Sequence, residues 1–347
     1  MSTERVVLAH AGDAETLLAI HVLARQAEVV TVTVDVGQGD SMLAVRERAL
    51  EAGAVRAHVL DERETFAHRY ALPALRAGAV GFDGDPHASM LALPCVARTV
   101  AHVAAMEQAT GLAHGGRGVA AQRMRRLFQS LSKVPVRAAV CGLPDAALAD
   151  AREALQVDVT TMGRHVRATM WGQSLPAPAF VGDAVAASAF TRTKAILSCP
   201  DTPAVVDVGF DAGYPRSING VTLPLVELLD SLETIASAHG VGRVDVLVPD
   251  GDQVVREVAE APAATVLQLA LRELEALALP WSLRKLRRRL AESYVDLLRA
   301  GEWFTLTRES VDALADRALR DATGTVRLQL FKGACQVVSR RTVGVDA

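Results

Sequence analysis

Two near-continuous runs of β-branched residues, separated by a helical pattern, constrain the fold of this chain more than any other feature. The runs RVVLAH (5–10) and EVVTVTVDV (28–36) lack regular polar alternation, which is typical of strands covered on both faces of a parallel sheet. Apolar residues at helical spacing lie between them, namely Leu17, Ile20, Leu23 and Ala24. The chain therefore begins with a strand, a helix and a second strand parallel to the first.

The same alternation continues along the first half of the chain. Ser41 can cap a helix that runs to about Ala52, and RAHVL (56–60) predicts a third strand. Because such crossovers are right-handed, the natural product is a doubly wound, Rossmann-like sheet. Further patterns predict a helix near 88–109, strands at 111–116 and 136–142, and a helix over 144–155. We therefore predict an α/β nucleotide-binding-type domain over residues 1–163.

The pattern changes beyond about residue 160, which predicts a second, α+β domain over residues 164–347. It indicates a hairpin at 204–220, a helix at 225–239, strand-like residues with an Asp-Gly turn at 242–258, a long helical region at 263–299, one more helix, and a strand at 324–340.

Composition excludes several classes of protein. Half of the 347 residues are hydrophobic and the net charge is -3, so the electrostatics give no case for a nucleic-acid or membrane partner. Apolar runs such as Val29 to Val34 are far shorter than a membrane helix needs, and no signal peptide is recognisable, so we expect a cytoplasmic protein. The scattered cysteines and histidines have no metal-ligand spacing, and we predict no metal site.

A chain of sequence blocks resembles the argininosuccinate synthase family, in the PP-loop ATP-pyrophosphatase superfamily. The blocks include VVLAHAG, TVDVGQGD, LPCVAR, LAHGG, REVAEAPAATVL and GTVRLQLFKG, in the family's order. The resemblance implies that ATP adenylates the ureido oxygen of citrulline and that the aspartate amine then displaces AMP. No protein residue is a covalent nucleophile in that reaction, so activity depends on the residues that hold the ligands.

The resemblance also bears on assembly. The chain ends soon after LFKGACQVVSRRTV. The resemblance therefore implies that the helical tail that family members exchange between subunits is missing. A homo-oligomer is still expected, with dimer and tetramer both open.

The nucleotide loop departs from the family's Ser-Gly-Gly-x-Asp-Thr-Ser. The matching segment begins at Ala11 and retains only Gly12 and Thr16, while Asp13 replaces a glycine and Glu15 replaces the aspartate. One interpretation is that both acids complement the dipole of the following helix, and we favour it; the other is a metal-assisted phosphate site. The resemblance places four further positions in the nucleotide pocket, namely Val34, Asp35, His114 and Gly115.

The substrate positions depart further. In GGRGVAAQRMR (115–125), Arg117 replaces a threonine, Ala121 an asparagine and Gln122 an aspartate, whereas Arg125 matches a family arginine near citrulline. The other positions that the resemblance assigns to the substrate pocket are Ser89, Met90, His165, Ser174, Val248 and Ala259. Of these Ser174 is retained, while Val248 stands for a glutamate and Ala259 for a tyrosine. A site built for hydrogen bonds loses orders of magnitude in activity when its partners are replaced.

Basic residues and one histidine leave alternatives open. The cluster Arg117, Arg123, Arg125 and Arg126 could bind an anion or form a solvated helix face, which we favour. RKLRRRL (284–290) is interpreted as a surface helix with a packed leucine face. His10 could act as an acid or a base, or be structural, and the sequence favours neither.

Three functional hypotheses follow, in order of preference. The first is a non-catalytic homologue that keeps the two-domain scaffold for binding, assembly or support of a partner enzyme, with a protein or peptide as the partner. The second is an ATP-dependent, AMP-forming C-N ligase with changed substrates, for which ATP and Mg²⁺ would be required. The third, an ordinary arginine-biosynthetic enzyme, would need a pocket rebuilt from unrelated residues.

Overall fold

The structure is a computed structural model that describes residues 4–39, 41–79, 87–144, 146, 153, 168–175, 182–250 and 253–342. The side chains of 248–250 and 253–255 lie outside the described part. The chain divides into two compact units. The first comprises Met1–Phe66, Met90–Thr169 and Leu297–Thr305, and the second Ala67–Ser89, Met170–Asp296 and Leu306–Ala347.

A five-stranded parallel sheet forms the centre of the first unit, in the order β3-β2-β1-β4-β5. Its strands are β1 (Arg5–Ala9), β2 (Glu28–Asp35), β3 (Arg56–Asp61), β4 (Gly111–His114) and β5 (Val136–Ala138). Ala9 lies in register with Val32 and with His114. The carboxyl ends of β1, β2 and β4 therefore meet at one edge of the sheet, where α/β folds of this kind bind their ligands. This confirms the predicted α/β class and its Rossmann-like sheet.

The described helices of both units are, in chain order, α1 (Ala14–Leu23), α2 (Met42–Glu51), α3 (Arg63–Phe66), a π-helical turn (Ala67–Ala71), α4 (Leu72–Ala77), α5 (Ala88–Met106), α6 (Gly118–Leu131), α7 (Leu225–Ala238), α8 (Pro262–Ala278), α9 (Trp281–Ala300) and α10 (Leu306–Ala318).

The apolar face of α1 covers the parallel sheet of the first unit. Leu17, Ile20 and Leu23 of α1 are buried in one core cluster with Val6 and Leu8 of β1. Burial of this stripe holds α1, and with it the loop before α1, against the sheet.

Antiparallel sheets characterise the second unit, as predicted for an α+β domain. Strand β6 (Ala168–Thr169) belongs to the first unit. The remaining strands are β7 (Gly172–Leu175), β8 (Ala204–Asp211), β9 (Tyr214–Ile218), β10 (Val221–Thr222), β11 (Arg243–Asp250), β12 (Gln253–Glu260), β13 (Gly324–Phe331) and β14 (Ala334–Thr342). One sheet has the order β10-β9-β8-β13-β14. In the other, β12 pairs with β11 and with β7. Helices α7 and α8 bury leucines in this unit.

Several sequence-based boundaries need correction. The predicted strand at 324–340 is a hairpin of β13 and β14, turned by Lys332 and Gly333, whose φ angles of 44° and 87° are those of a tight hairpin turn. The predicted long helical region at 263–299 consists of two helices, because Pro280 cannot continue α8. The predicted strand at 136–142 ends at Ala138. The predicted helix at 144–155 falls largely outside the described residues.

Helix α5 is the one helix of the described residues that is long and apolar enough to span a membrane. Half of its most apolar window is buried inside the protein, as in a core helix. Length and composition alone are weak grounds for a membrane span.

Candidate functional site

The loop between β1 and α1 is closed by its own acid. Gly12 adopts a φ of 76°, a left-handed conformation that glycine adopts readily, and Asp13 follows as the N-cap of α1. An oxygen of the Asp13 carboxylate accepts hydrogen bonds from the backbone N–H of Thr16 at 2.8 Å and from the Thr16 hydroxyl at 2.6 Å. The carboxylate thus occupies the helix N-terminus, the position where backbone donors would otherwise face an anion.

The retained hydroxyl of the loop is engaged as well. Besides its contact with the Asp13 carboxylate, Thr16 Oγ1 accepts a hydrogen bond from the backbone N–H of Ala11 at 3.3 Å. Both Asp13 and Thr16 are buried, with 8% and 5% exposure. Side chains of the loop itself therefore accept from the N–H groups of Ala11 and Thr16. In a phosphate-binding loop, such N–H groups would face the ligand instead.

Electrostatics at the loop follow from this burial. Burial raises the pKa of the Asp13 carboxyl, the hydrogen bonds from Thr16 oppose that rise, and the neighbouring Glu15 adds to it. Glu15 lies in the first turn of α1, where its charge complements the helix dipole. The favoured sequence interpretation, that these acids serve the helix N-terminus, agrees with this geometry.

At the end of β2, the side chain of Gln38, which the sequence did not single out, forms two hydrogen bonds with the backbone. Gln38 donates from Nε2 to the carbonyl of Val34 at 2.7 Å and accepts from the N–H of Val36 at 2.7 Å. Asp35 accepts from the N–H of Gly37 at 2.8 Å. The nucleotide-pocket positions Val34 and Asp35 therefore lie at the end of β2, next to a turn that side-chain hydrogen bonds fix, and the block DVGQG was the available signal.

At the end of β4, His114 carries a buried polar atom. Its Nδ1 accepts from the N–H of Gly116 at 3.2 Å, which places the proton of the neutral ring on Nε2. Nε2 is buried with no hydrogen-bond partner among the described residues. Burial and the nearby Arg125 lower the pKa of His114 to about 4, so the ring is neutral at pH 7.

Gly115 allows β4 to approach the loop closely. A Cβ atom at this position would lie 2.8 Å from Thr16 Cγ2 and 3.1 Å from the backbone nitrogen of Thr16. The first unit therefore brings together the predicted loop positions and the end of β4.

The arginines around α6 are mostly engaged within the first unit. Arg123 donates from Nε to the carbonyl of Arg299 at 2.7 Å, and Arg126 from Nη1 to the carbonyl of Ala300 at 3.0 Å. Both bonds satisfy carbonyls at the end of α9. Arg117 donates from Nη2 to the carbonyl of Leu143 at 3.1 Å. The expected solvated face describes Arg125 and Arg126, which are exposed, whereas Arg117 and Arg123 are half-buried and anchored.

Other substrate-pocket positions on α6 and α5 differ in exposure. Ala121 is buried, Gln122 is exposed and Met90 is half-buried. His165 lies outside the described residues.

Three substrate-pocket positions lie together in the second unit. The hydroxyl oxygens of Ser89 and Ser174 are 2.9 Å apart, within hydrogen-bond distance. Ala259 pairs across the strands with Ser174 and is buried. Val248 lies opposite Val255 in the β11–β12 hairpin, and its side chain lies outside the described part. The retained serine is therefore bonded to a neighbouring serine beside an alanine that offers no polar group.

Glu260 is a buried carboxylate that sequence reasoning missed. It is fully buried and accepts from the N–H groups of Thr191 and Thr193, both at 2.9 Å, and from the hydroxyl of Thr193 at 2.5 Å. The side-chain amide of Gln173 also donates to it at 2.5 Å. This carboxylate fixes the segment that begins at Thr191, because it supplies the acceptors for several backbone donors.

Comparison with known proteins bears on the whole chain. The family model described as the Arginosuccinate synthase N-terminal HUP domain matches residues 5–159, and the Arginosuccinate synthase C-terminal domain matches residues 169–344. The chain belongs to the argininosuccinate synthase family. The argininosuccinate synthase of Rubrobacter xylanophilus is 35% identical over 97% of this chain and 85% of that protein. The argininosuccinate synthase of Acaryochloris marina is 33% identical over 98% of this chain and 88% of that protein.

Membership of the argininosuccinate synthase family confirms the resemblance found in the sequence blocks. A solved NAD+ synthetase from Burkholderia pseudomallei aligns with 48% of this chain and 66% of its own, at 16% identity and a TM-score of 0.32, too low to carry an argument. Within the described residues, no group of three or more His, Cys, Asp and Glu side chains is placed to hold a metal ion.

Proposed function

We propose that this chain is a non-catalytic member of the argininosuccinate synthase family, without argininosuccinate synthase activity, that acts by binding a protein or peptide partner. The observation that carries the proposal is the Asp13 carboxylate at the N-terminus of α1, bonded to the backbone N–H and the hydroxyl of Thr16. A polyphosphate at this helix end would have to displace that carboxylate or lie against it.

The charge balance of the loop supports the proposal. Two like unit charges 4 Å apart repel by about 4 kcal/mol at an effective dielectric constant of 20, and the Asp13 carboxylate stands where the family's loop has a glycine. No lysine or arginine occurs between residues 6 and 24 to offset this charge. A triphosphate, which is itself strongly anionic, is therefore a poor fit to this loop.

The substrate positions support the proposal independently. Ala121 and Ala259 are buried and carry no hydrogen-bonding side chain. The resemblance implies that other members of the family have asparagine and tyrosine at these positions. A pocket that recognises amino acids by hydrogen bonds rejects them strongly when those groups are absent. The loss of phosphate-binding groups at the loop and the loss of hydrogen-bonding side chains at the substrate positions together favour a scaffold role.

The alternative is an ATP-dependent, AMP-forming C-N ligase that acts on different substrates. The buried Nε2 of His114, which has no partner among the described residues, favours it, because a bound ligand could accept the hydrogen bond that this atom offers. ATP with Mg²⁺ would then be required, since the cation would screen the loop acids from the phosphates.

Isothermal titration with ATP, in the presence and absence of Mg²⁺, tests the proposal. We expect no binding at 1 mM ATP, and no pyrophosphate release from ATP, citrulline and aspartate. The argininosuccinate synthase of Rubrobacter xylanophilus serves as the positive control in both assays. Micromolar ATP binding without turnover of citrulline and aspartate would favour the alternative ligase, and turnover of those substrates would overturn both.

Location and assembly belong to the same proposal. We expect a cytoplasmic homo-oligomer, and sedimentation velocity at micromolar concentration distinguishes a dimer from a tetramer.

A further inference from the structure

The N-terminal half of α9 carries four exposed or half-exposed cations that have no carboxylate partner in the part of the chain that the structure describes. These are Arg284, Lys285, Arg288 and Arg289, which we call the basic patch. No ion pair among the described residues involves any of them. Spacings of three and four residues bring side chains onto one face of a helix, so the four charges lie close together.

Several other arginines of the second unit have carboxylate partners. Arg287, on the same helix, bonds Glu275 at 2.6 Å, and Arg327 bonds Asp207 through two nitrogens at 2.6 and 2.7 Å. Arg256 bonds Asp245 in the same way. The patch therefore gathers four cations that have no carboxylate partner among the described residues, in a chain whose net charge is -3. Clustered cations without counter-charges repel one another, and an anionic partner removes that cost.

An aromatic side chain lies at the beginning of the patch. Trp281 is 63% exposed, whereas the other two tryptophans, Trp171 and Trp303, are buried. The guanidinium of Arg284 lies 5.4 Å from the centroid of the Trp281 ring. Leu286 of α9 is exposed as well. Exposed tryptophan and arginine side by side are the residues most enriched among those that dominate protein interfaces.

The size and composition of the surface decide between classes of partner. Nine helical residues span only about 12 Å, and Glu292 ends the positive face one turn beyond Arg288, so a long polyanion would find no continuous track. Insertion into a membrane would need the apolar face of the helix, but Ala291, Tyr294 and Val295 of that face are buried. A short segment with carboxylates around one apolar side chain matches both the cations and Trp281.

We infer that residues 281–289 of α9 form a docking surface for an acidic protein segment with an apolar anchor residue. The carboxylates contact the basic patch, and the anchor packs against Trp281 and Leu286. This deepens the proposed partner-binding role and rests on it, but it does not depend on the state of the nucleotide loop.

Binding to the full chain can be measured with a synthetic probe. The probe is a fluorescein-labelled peptide of fifteen residues, all glutamate except a central Leu-Phe pair, and fluorescence anisotropy reports its affinity. A reference peptide has glutamate throughout. Because Trp281 is the exposed tryptophan, unlabelled probe should also shift the tryptophan emission to shorter wavelength, and this shift should vanish in Trp281→Phe.

Matched variants separate the patch from general charge. The variant Lys285→Gln/Arg288→Gln/Arg289→Gln should weaken binding of the Leu-Phe probe about tenfold or more. The control Arg272→Gln/Arg317→Gln/Arg320→Gln removes the same charge from other exposed positions and should change affinity less than twofold. Circular dichroism should show both variants folded.

Several results would overturn the inference. They are the absence of probe binding at 100 μM protein, equal binding of the all-glutamate peptide, equal loss in the two triple variants, and tighter binding of a 20-nucleotide RNA or of phosphatidylserine vesicles. The ATP titration measures binding at the nucleotide loop and not at α9. ATP binding would therefore refute the proposed function without changing the result with the peptide probe. Failure of the probe to bind would likewise leave the result of the ATP titration unchanged.

Discussion

Replacing Asp13 by alanine should loosen the start of α1, because one carboxylate satisfies two groups of Thr16. The substitution removes an N-cap, which costs about 1 kcal/mol. It also removes the carboxylate acceptor of the buried Thr16 hydroxyl, which retains the Asp13 carbonyl at 3.2 Å, and this adds about 0.5–1.5 kcal/mol. We expect a total near 2 kcal/mol in the opening free energy of α1, read from amide hydrogen exchange of residues 14–23.

Asp13→Asn is the informative partner of that variant. Asparagine keeps an oxygen acceptor and is as good an N-cap as aspartate, so the protection of α1 from exchange should not fall below that of the parent. Burial raises the folded pKa of Asp13, so the folded state binds the proton more tightly than the unfolded state. Stability from this group is therefore present below the unfolded pKa near 4 and falls as pH rises through the folded pKa.

The comparison between the two variants has a clear refutation. Relative to the parent, Asp13→Asn should gain stability as pH rises from about 4 to 7, whereas Asp13→Ala should remain destabilised at every pH. If hydrogen exchange of α1 in Asp13→Ala matches the parent, the carboxylate does not cap the helix, and the central observation behind the proposed function is wrong.

Three further predictions concern neighbouring groups. Gly115→Ala should destabilise the first unit by about 1–3 kcal/mol in urea unfolding, because its Cβ would lie 2.8 Å from Thr16 Cγ2; a neutral effect would mean that the loop yields easily. The ring resonances of His114 should not titrate between pH 5 and 8, since its pKa is lowered to about 4, and the stability that it contributes should fall as pH drops from about 6.5 toward 4; a midpoint near 6.5 would contradict the burial argument. Glu260→Ala should cost about 3–5 kcal/mol, because the N–H groups of Thr191 and Thr193 would lose a buried acceptor, and Glu260→Gln should cost less; equal stability of Glu260→Ala and the parent would contradict this role.

Much of the fold could be predicted from local patterns. The β-branched runs at 5–10 and 28–36 gave β1 and β2 within one residue, and Ser41 caps α2 by accepting from the N–H of Ala44 at 3.4 Å. Residues 324–340 were predicted as one strand but form a hairpin. Lys332-Gly333 indicated the turn, but the flanking apolar residues obscured it. Pro280 was likewise a readable break within the long helical region.

The site was less predictable, because its important contacts join residues far apart in sequence. The resemblance identified Ser89, Ser174 and Ala259 separately, yet only the fold reveals the bond between the two serines and the pairing of Ser174 with Ala259. The arginine pattern of α6 suggested a solvated face, but it could not reveal the carbonyls at the end of α9 that Arg123 and Arg126 satisfy.

Restoring the family's loop gives the most direct test of the central claim. Isothermal titration with Mg-ATP compares the parent chain with the variant Ala11→Ser/Asp13→Gly/Glu15→Asp, which has the family's residues at those positions. We expect no heat of binding for the parent at 1 mM ATP and measurable binding for the variant, because the carboxylate that occupies the helix end is removed. Micromolar binding of Mg-ATP by the parent chain would contradict it.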